Sequence, residues 1–334
     1  MGWKSLAKSI AADQRRSERE TKTRQRNLEK QRKDLDKMQE LQRAQYEVEV
    51  YENRIELLLS VHKECSDIWD WKAIKSSNPP SKPTKYGKNE QLAQAKLNKY
   101  KPGVLDKLFK KQESKRNGLK NAIVESRQLD EREYQNAIQK YESQYSEWKT
   151  SVKLAERILT GDTKAYMDAI KEIHPFSEIS SLGSFVEFKA ENKSLFELTL
   201  YVNSDKVIPK EVKTLLKSGK LSVKKMSQTK FNELYQDYVC SCVLRVARES
   251  FALLPVNMVI ITAVANLLNT QTGHKENQPI LSIAIPKDTL SKLNYETIDP
   301  SDSINNFVHK MNYKKTSGFN SVQKLIPSDF QPTN

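Results

Sequence analysis

The chain has 334 residues, with 56 Lys and Arg against 42 Asp and Glu, for a formal net charge of +14. That excess favours a polyanionic partner, whether nucleic acid, an anionic membrane surface or an acidic protein, because clustered cations release counterions when they dock on phosphates. Three cysteines, Cys65, Cys240 and Cys242, make neither an even disulfide framework nor a CxxC pair, which argues against a disulfide-stapled scaffold and points to a reducing, cytoplasmic setting.

In chain order, residues 1–12 read as an amphipathic tip in which Trp3, Leu6 and Ile10 share a helical face edged by Lys4 and Lys8. Such a stripe suits docking on a partner subunit, or weak contact with a membrane surface. The myristoylation pattern fails because Leu6 stands where Ser or Thr is required.

Residues 13–173 read as a helical coiled-coil region. No Pro or Gly falls between Trp3 and Asn78, and Leu41, Ala44, Val48, Tyr51, Ile55, Leu58 and His62 step alternately by three and four, a heptad seam. Charge is polarised along this helix: eleven basic residues against four acidic over 1–33, then three against seven over 34–60. Arg15, Arg16, Arg19, Lys22, Arg24 and Arg26 are candidates to lie along a nucleic-acid backbone, since phosphate contacts need only positive charge at flexible reach. The competing reading is a solvated coil whose charges oppose aggregation.

Residues 76–103 hold four prolines and two glycines and predict a reversal of the chain around a short helix near 89–100. A second long helix then carries Tyr134, Ile138, Tyr141, Tyr145, Trp148, Val152, Ala155 and Leu159 at the same alternating steps. Two such seams predict an antiparallel coiled-coil hairpin, or the arms of a homo-oligomer. Gly161-Asp162 closes this helix, and Asp162 or Thr163 can cap a shorter one that His174-Pro175 ends.

Residues 174–325 read as a basic α+β domain. Period-two alternation predicts a hairpin from Ser184–Lys189 and Leu195–Val202, and a helix follows over about 228–254. Strands at Val256–Asn266 and Pro279–Ile285 and short helices near 286–293 and 300–311 complete a ββαββ unit with trailing helices. The simplest layering is a small, four-stranded antiparallel sheet covered on one face by the long helix, with residues 326–334 as a loose tail. The apolar run Phe251–Leu268 is interrupted by Pro255, Asn257, Thr262 and Asn266, so a buried strand fits better than a transmembrane segment.

The strongest candidate contact surface is the connector between Asp205 and Lys230, where Lys206, Lys210, Lys213, Lys217, Lys220, Lys224, Lys225 and Lys230 face two acids. It adjoins a folded domain, although a solvated linker would show the same composition. Glu187-x-Lys189 has the acidic-x-Lys spacing of a metal-dependent nuclease strand, with Glu178 or Asp168 as a further carboxylate; alternating surface charge on a hairpin explains the same residues. His62, His174, His274 and His309 have no ligand spacing, and no phosphate loop or nucleophile elbow occurs, so neither a metal nor a cofactor is expected. Arg245, Arg248 and Glu249 suit salt bridging at the edge of the long helix.

The stretch Leu234-Tyr-Gln-Asp-Tyr-Val-Cys-Ser-Cys-Val-Leu-Arg-Val-Ala-Arg-Glu249, followed by Phe251-Ala-Leu-Leu-Pro255, resembles an uncharacterised bacterial domain family. The resemblance runs loosely over 175–320 and implies a reusable module that occurs behind varied N-terminal segments. It implies no catalytic residues. The resulting expectation is an oligomeric coiled-coil scaffold or adaptor that binds nucleic acid or another polyanion, with a nuclease or effector subunit and a membrane-surface protein as alternatives.

Overall fold

A computed structural model describes residues 40–103, 110–181, 184–190, 193–202 and 207–330. The amphipathic tip with Trp3, the basic stretch Arg15, Arg16, Arg19, Lys22, Arg24 and Arg26, and Lys206 lie outside the described residues. The chain divides into two compact units, one built on Ala73–Lys153 and the other on Ser9–Lys72 together with Leu154–Asn334. In chain order α1 is Glu40–Leu59, followed by a 3-10 turn at Val61–Lys63, then α2 Trp71–Lys75, α3 Lys88–Lys99 and α4 Gln112–Leu159.

In the first unit α3 docks on α4. Asp130, on α4, accepts hydrogen bonds from the backbone N–H groups of Asn89 (3.0 Å) and Glu90 (2.8 Å). Those are orphan donors of the first turn of α3, whose own preceding residue, Gly87, has no side chain to cap them. The Arg127 guanidinium donates from Nε and Nη2 to one Glu90 oxygen, beside this cap. Burial pushes the Asp130 carboxyl up, but the hydrogen bonds from Asn89 and Glu90 outweigh it and hold the group below the usual range.

The proline-containing segment before α3 runs back along α4. The Trp148 indole N–H donates to the Ser77 carbonyl (3.1 Å), and eight residues later Lys85 pairs with Glu131 and sits over the Tyr134 ring. Ser77, Pro80 and Pro83 are half-buried while 78, 79, 81, 82 and 84 are exposed, the period of three of a polyproline-type strand. Within this unit Tyr134 and Trp148 of the α4 seam therefore meet an extended strap, and the Tyr141–Tyr145 and Tyr145–Trp148 rings lie tilted against each other at 5.8 and 5.4 Å.

The second unit continues with α5 Thr163–Ile173 and α6 Ser177–Ser181, then β1 Phe185–Ala190, β2 Leu195–Tyr201, β3 Glu211–Leu215 and β4 Leu221–Lys225. After these come α7 Gln228–Leu253, β5 Met258–Leu268, β6 Lys275–Pro286, α8 Lys287–Leu290, α9 Pro300–Ser303, β7 Val308–Lys314 and β8 Gly318–Asn320. The entry to α5 is as expected: Asp162 accepts from Lys164 and Ala165 N–H, and Arg157 clamps the same carboxylate at 2.8 Å. Gly161 before it is obligatory, because φ is +82° and an added Cβ would sit 2.6 Å from Lys193 Cβ.

The sheet corrects the expected topology. It has six strands in the order β1-β2-β5-β6-β7-β8, and β2 runs parallel to β5. The 26-residue α7 is the reason: it carries the chain from one end of the sheet back to the other, so β5 enters in the same direction as β2. The region expected to be helix over 300–311 holds only α9 and a 3-10 turn before β7, whose alternation of exposed and half-buried residues is that of a thinly covered strand.

One sheet face is closed by α7 and carries Phe196, Leu198, Leu200, Val259, Ile261 and Ile283, all fully buried. The other is crossed by the C-terminal segment: Val322 N–H donates to Pro279 O, Leu325 N–H to Ser282 Oγ, and Leu325 and Phe330 pack on Leu195, Ile260 and Ala284. Double coverage accounts for the burial of every residue over Val259–Ala265 of β5 and Ile280–Ile285 of β6. It also anchors the C-terminal segment on the core through buried Leu325 and half-buried Phe330, while most residues between them stay exposed. No helix among the described residues is long and apolar enough to cross a membrane.

Candidate polyanion-binding surface

The lysine-rich connector folds as a second, two-stranded sheet. β3 and β4 pair antiparallel with Glu211 opposite Lys225, Lys213 opposite Val223 and Leu215 opposite Leu221. Leu216, Lys217, Ser218 and Gly219 form the turn: Leu216 N–H donates to Lys220 O and Gly219 N–H to Leu216 O, both at 2.9 Å. Gly219 at φ +78° supplies the left-handed residue that such a three-residue hairpin loop requires.

The hairpin packs on α1, and there the opposite charges seen along the sequence meet. Lys213 Nζ lies 2.6 Å from Glu47 and Lys220 Nζ 3.8 Å from Glu40. Two of the candidate lysines are thus neutralised internally. Lys210, Lys217, Lys224 and Lys225 are exposed, and among the described residues no carboxylate forms an ion pair with Lys217, Lys224 or Lys225. The seam residues of α1 serve the same contact: Ala44, Val48 and Leu58 are buried, Tyr51 and Ile55 half-buried, and Leu41 exposed, on a helix packed against β3, β4 and α7. Of the α4 seam, Ile138, Tyr141, Trp148 and Val152 are half-buried and Tyr145 is exposed.

Beside this surface, α1, the 3-10 turn and the start of α7 border an open groove of about 800 Å³, lined by Tyr51, Ile55, Leu59 and Leu234 with Glu52, Glu56, Lys63 and Lys230 among its polar groups. The region below it is a buried polar clasp. His62 N–H donates to Ser241 Oγ at 2.9 Å, and His62 Nδ1 lies at the same distance from that oxygen. Arg245 pairs with Glu249 at 2.8 Å, Glu249 also accepts from Ser66 N–H, and Arg248 donates to the His62 and Lys63 carbonyls while stacking on Tyr295. These three α7 residues hold the segment after α1 in place: Arg245 and Glu249 form the expected salt bridge, though buried rather than at the helix edge, and Arg248 works through backbone carbonyls and the Tyr295 ring instead.

The remaining candidates do not converge. Glu187 and Lys189 lie on β1, and Glu187 accepts from the Tyr201 hydroxyl at 2.9 Å. Asp168 is engaged by Arg157 at 3.1 Å, and no cluster of three or more metal-ligating side chains forms among the described residues. Cys240 and Cys242 are fully buried, and burial pushes the Cys242 thiol to about 12 and that of half-buried Cys65 to about 11, far from thiolate chemistry. Sequence reasoning found the lysines but missed the acidic partners on α1. The signal was the −4 of residues 34–60 against the +6 of the connector, two opposite charge blocks within one chain.

Comparisons of the chain with family models, with curated proteins and with solved structures found no match. The surface itself has to carry the functional argument.

Proposed function

We propose that this chain is a binding module, an adaptor that uses the β3–β4 hairpin to hold a polyanionic partner. The observation that carries the reading is the division of the hairpin's lysines. Lys213 and Lys220 answer carboxylates of α1, whereas Lys217, Lys224 and Lys225 project from a packed hairpin with no ion-pair partner among the described residues. Cations fixed on a rigid support meet phosphates with less ordering cost than cations on a free arm, so the hairpin is a better anchor than composition alone implies. Helix α4, with 48 residues, is about 70 Å long. An assembly into a dimer or larger oligomer is a separate part of this reading, because the seam residues of α1 and α4 already have contacts within the chain, and light scattering is its measure.

The test is binding of a labelled duplex oligonucleotide and of anionic vesicles across a salt series. The triple variant Lys217→Glu, Lys224→Glu, Lys225→Glu should lose affinity for both and flatten the salt slope by about two to three. Unchanged affinity and slope would remove the hairpin from the function.

A further inference from the structure

The same hairpin carries a second property that phosphate binding does not need. Leu215 is 40% exposed, Leu216 51% and Val223 46%, and Leu41 at the start of α1 is 51% exposed. These are neighbours. Leu215 lies opposite Leu221 and Val223 opposite Lys213, which puts Leu215 and Val223 on one face of the hairpin, and a Cβ on Gly219 would lie 3.2 Å from Leu41 Cδ2. The tip therefore presents aliphatic side chains at and beside the turn, with Lys217 at its apex and Lys224 and Lys225 behind it on β4.

The chemistry of the tip discriminates between polyanions. Residues 207–227 contain no arginine and no aromatic residue. Nucleic-acid surfaces gain from Arg forks on phosphates and bases and from aromatic stacking, and neither is present here. Exposed aliphatic groups at a turn that carries Lys217, with Lys224 and Lys225 on opposite faces of the strand that leaves it, match a different target, in which apolar side chains enter the acyl boundary while ammonium groups stay among anionic headgroups.

From this we infer that the β3–β4 tip is a membrane-contact device that inserts Leu215 and Leu216 into the surface of an anionic bilayer. The inference rests on the polyanion reading of the hairpin and narrows its partner to a lipid surface. Each lysine near an anionic leaflet contributes about fivefold to partitioning, so Lys217, Lys224 and Lys225 together supply on the order of a hundredfold, and the leucines add the part that salt does not screen.

The full chain is to be floated with phosphatidylcholine vesicles and with mixed phosphatidylserine–phosphatidylcholine vesicles, and titrated in parallel with a duplex oligonucleotide. We expect flotation only with the anionic vesicles. Leu215→Ser with Leu216→Ser should cut vesicle partitioning by about tenfold or more and leave oligonucleotide binding unchanged. A second variant, Leu216→Trp, should partition more strongly, with a blue-shifted emission on anionic vesicles, and matching circular dichroism checks that each variant is folded. Full flotation of the serine variant, or no flotation of the parent chain, overturns the inference. So does a loss that follows Trp3→Ala while hairpin variants float normally. The polyanion reading survives those results provided that the triple lysine-to-glutamate variant loses oligonucleotide binding; if that variant binds oligonucleotide and vesicles like the parent, the reading itself fails.

Discussion

The indole N–H of Trp71 donates to the carbonyl oxygen of Leu253 at 2.6 Å, and the backbone N–H of Trp69 reaches the Ala252 carbonyl at 2.8 Å. The last carbonyls of a helix have no partner within it, and Pro255 prevents α7 from continuing. Two tryptophans from a segment far upstream in sequence, stacked at 5.2 Å, therefore finish the helix at the centre of the second unit.

Replacing Trp71 separates the two things it does. Trp71→Ala should cost about 3–5 kcal/mol, because a buried ring and a buried hydrogen bond both go. Trp71→Phe keeps most of the volume and should cost about 1–3 kcal/mol for the carbonyl left unpaired. Thermal unfolding followed by circular dichroism ranks the two, and a phenylalanine variant as stable as the parent would mean that the carbonyl finds another donor.

Acidification should loosen the clasp around His62. Burial, followed by the nearby Lys63 cation, pulls its pKa below 6.5, with Arg248 adding to the effect and backbone hydrogen bonds to Tyr295 and Leu59 opposing it. A depressed imidazole pKa means that the unfolded chain takes the proton first. The contribution to stability is therefore complete above about pH 6.5 and falls as pH drops from there through the lowered native value. Melting temperatures of the parent should decline over that window more steeply than those of His62→Gln; parallel curves would show that His62 does not couple to pH.

Removing the internal counter-charges should expose more of the hairpin's cations. Glu40→Gln with Glu47→Gln frees Lys220 and Lys213, so affinity for anionic vesicles should rise and the salt slope of oligonucleotide binding should steepen by about one to two. These pairs are partly exposed and contribute little to folding, so the melting temperature should barely move. Unchanged binding would mean that Lys213 and Lys220 do not face the ligand.

Much of the local structure was legible in the sequence, and the long-range pairing was not. Asp162 as a cap, the stop at His174-Pro175, the β1–β2 hairpin and the extent of α7 follow from residues adjacent in the chain. The β3–β4 hairpin escaped because Glu211–Leu215 and Leu221–Lys225 bury so little on either face that no period of two survives. The parallel pairing of β2 with β5 escaped for a different reason: alternation reports which side a residue faces, not which strand lies next to it. At the candidate surface, lysine spacing revealed the charge but not which lysines α1 would claim, and Leu215 and Leu216 read as ordinary connector residues until the turn placed them at a tip.

The parallel neighbours at the centre of the sheet also constrain how the protein can be made. Leu195 pairs with Met258, roughly sixty residues later, and both β3–β4 and α7 intervene. During synthesis β1 and β2 emerge as a hairpin with an open, apolar inner edge and must wait for the crossover and β5 before that edge is sealed. Until α7 and β5 are in place, Phe196, Leu198 and Leu200 lack the cover that buries them in the finished fold, the kind of long-range closure that slows folding and exposes a chain to wrong pairing.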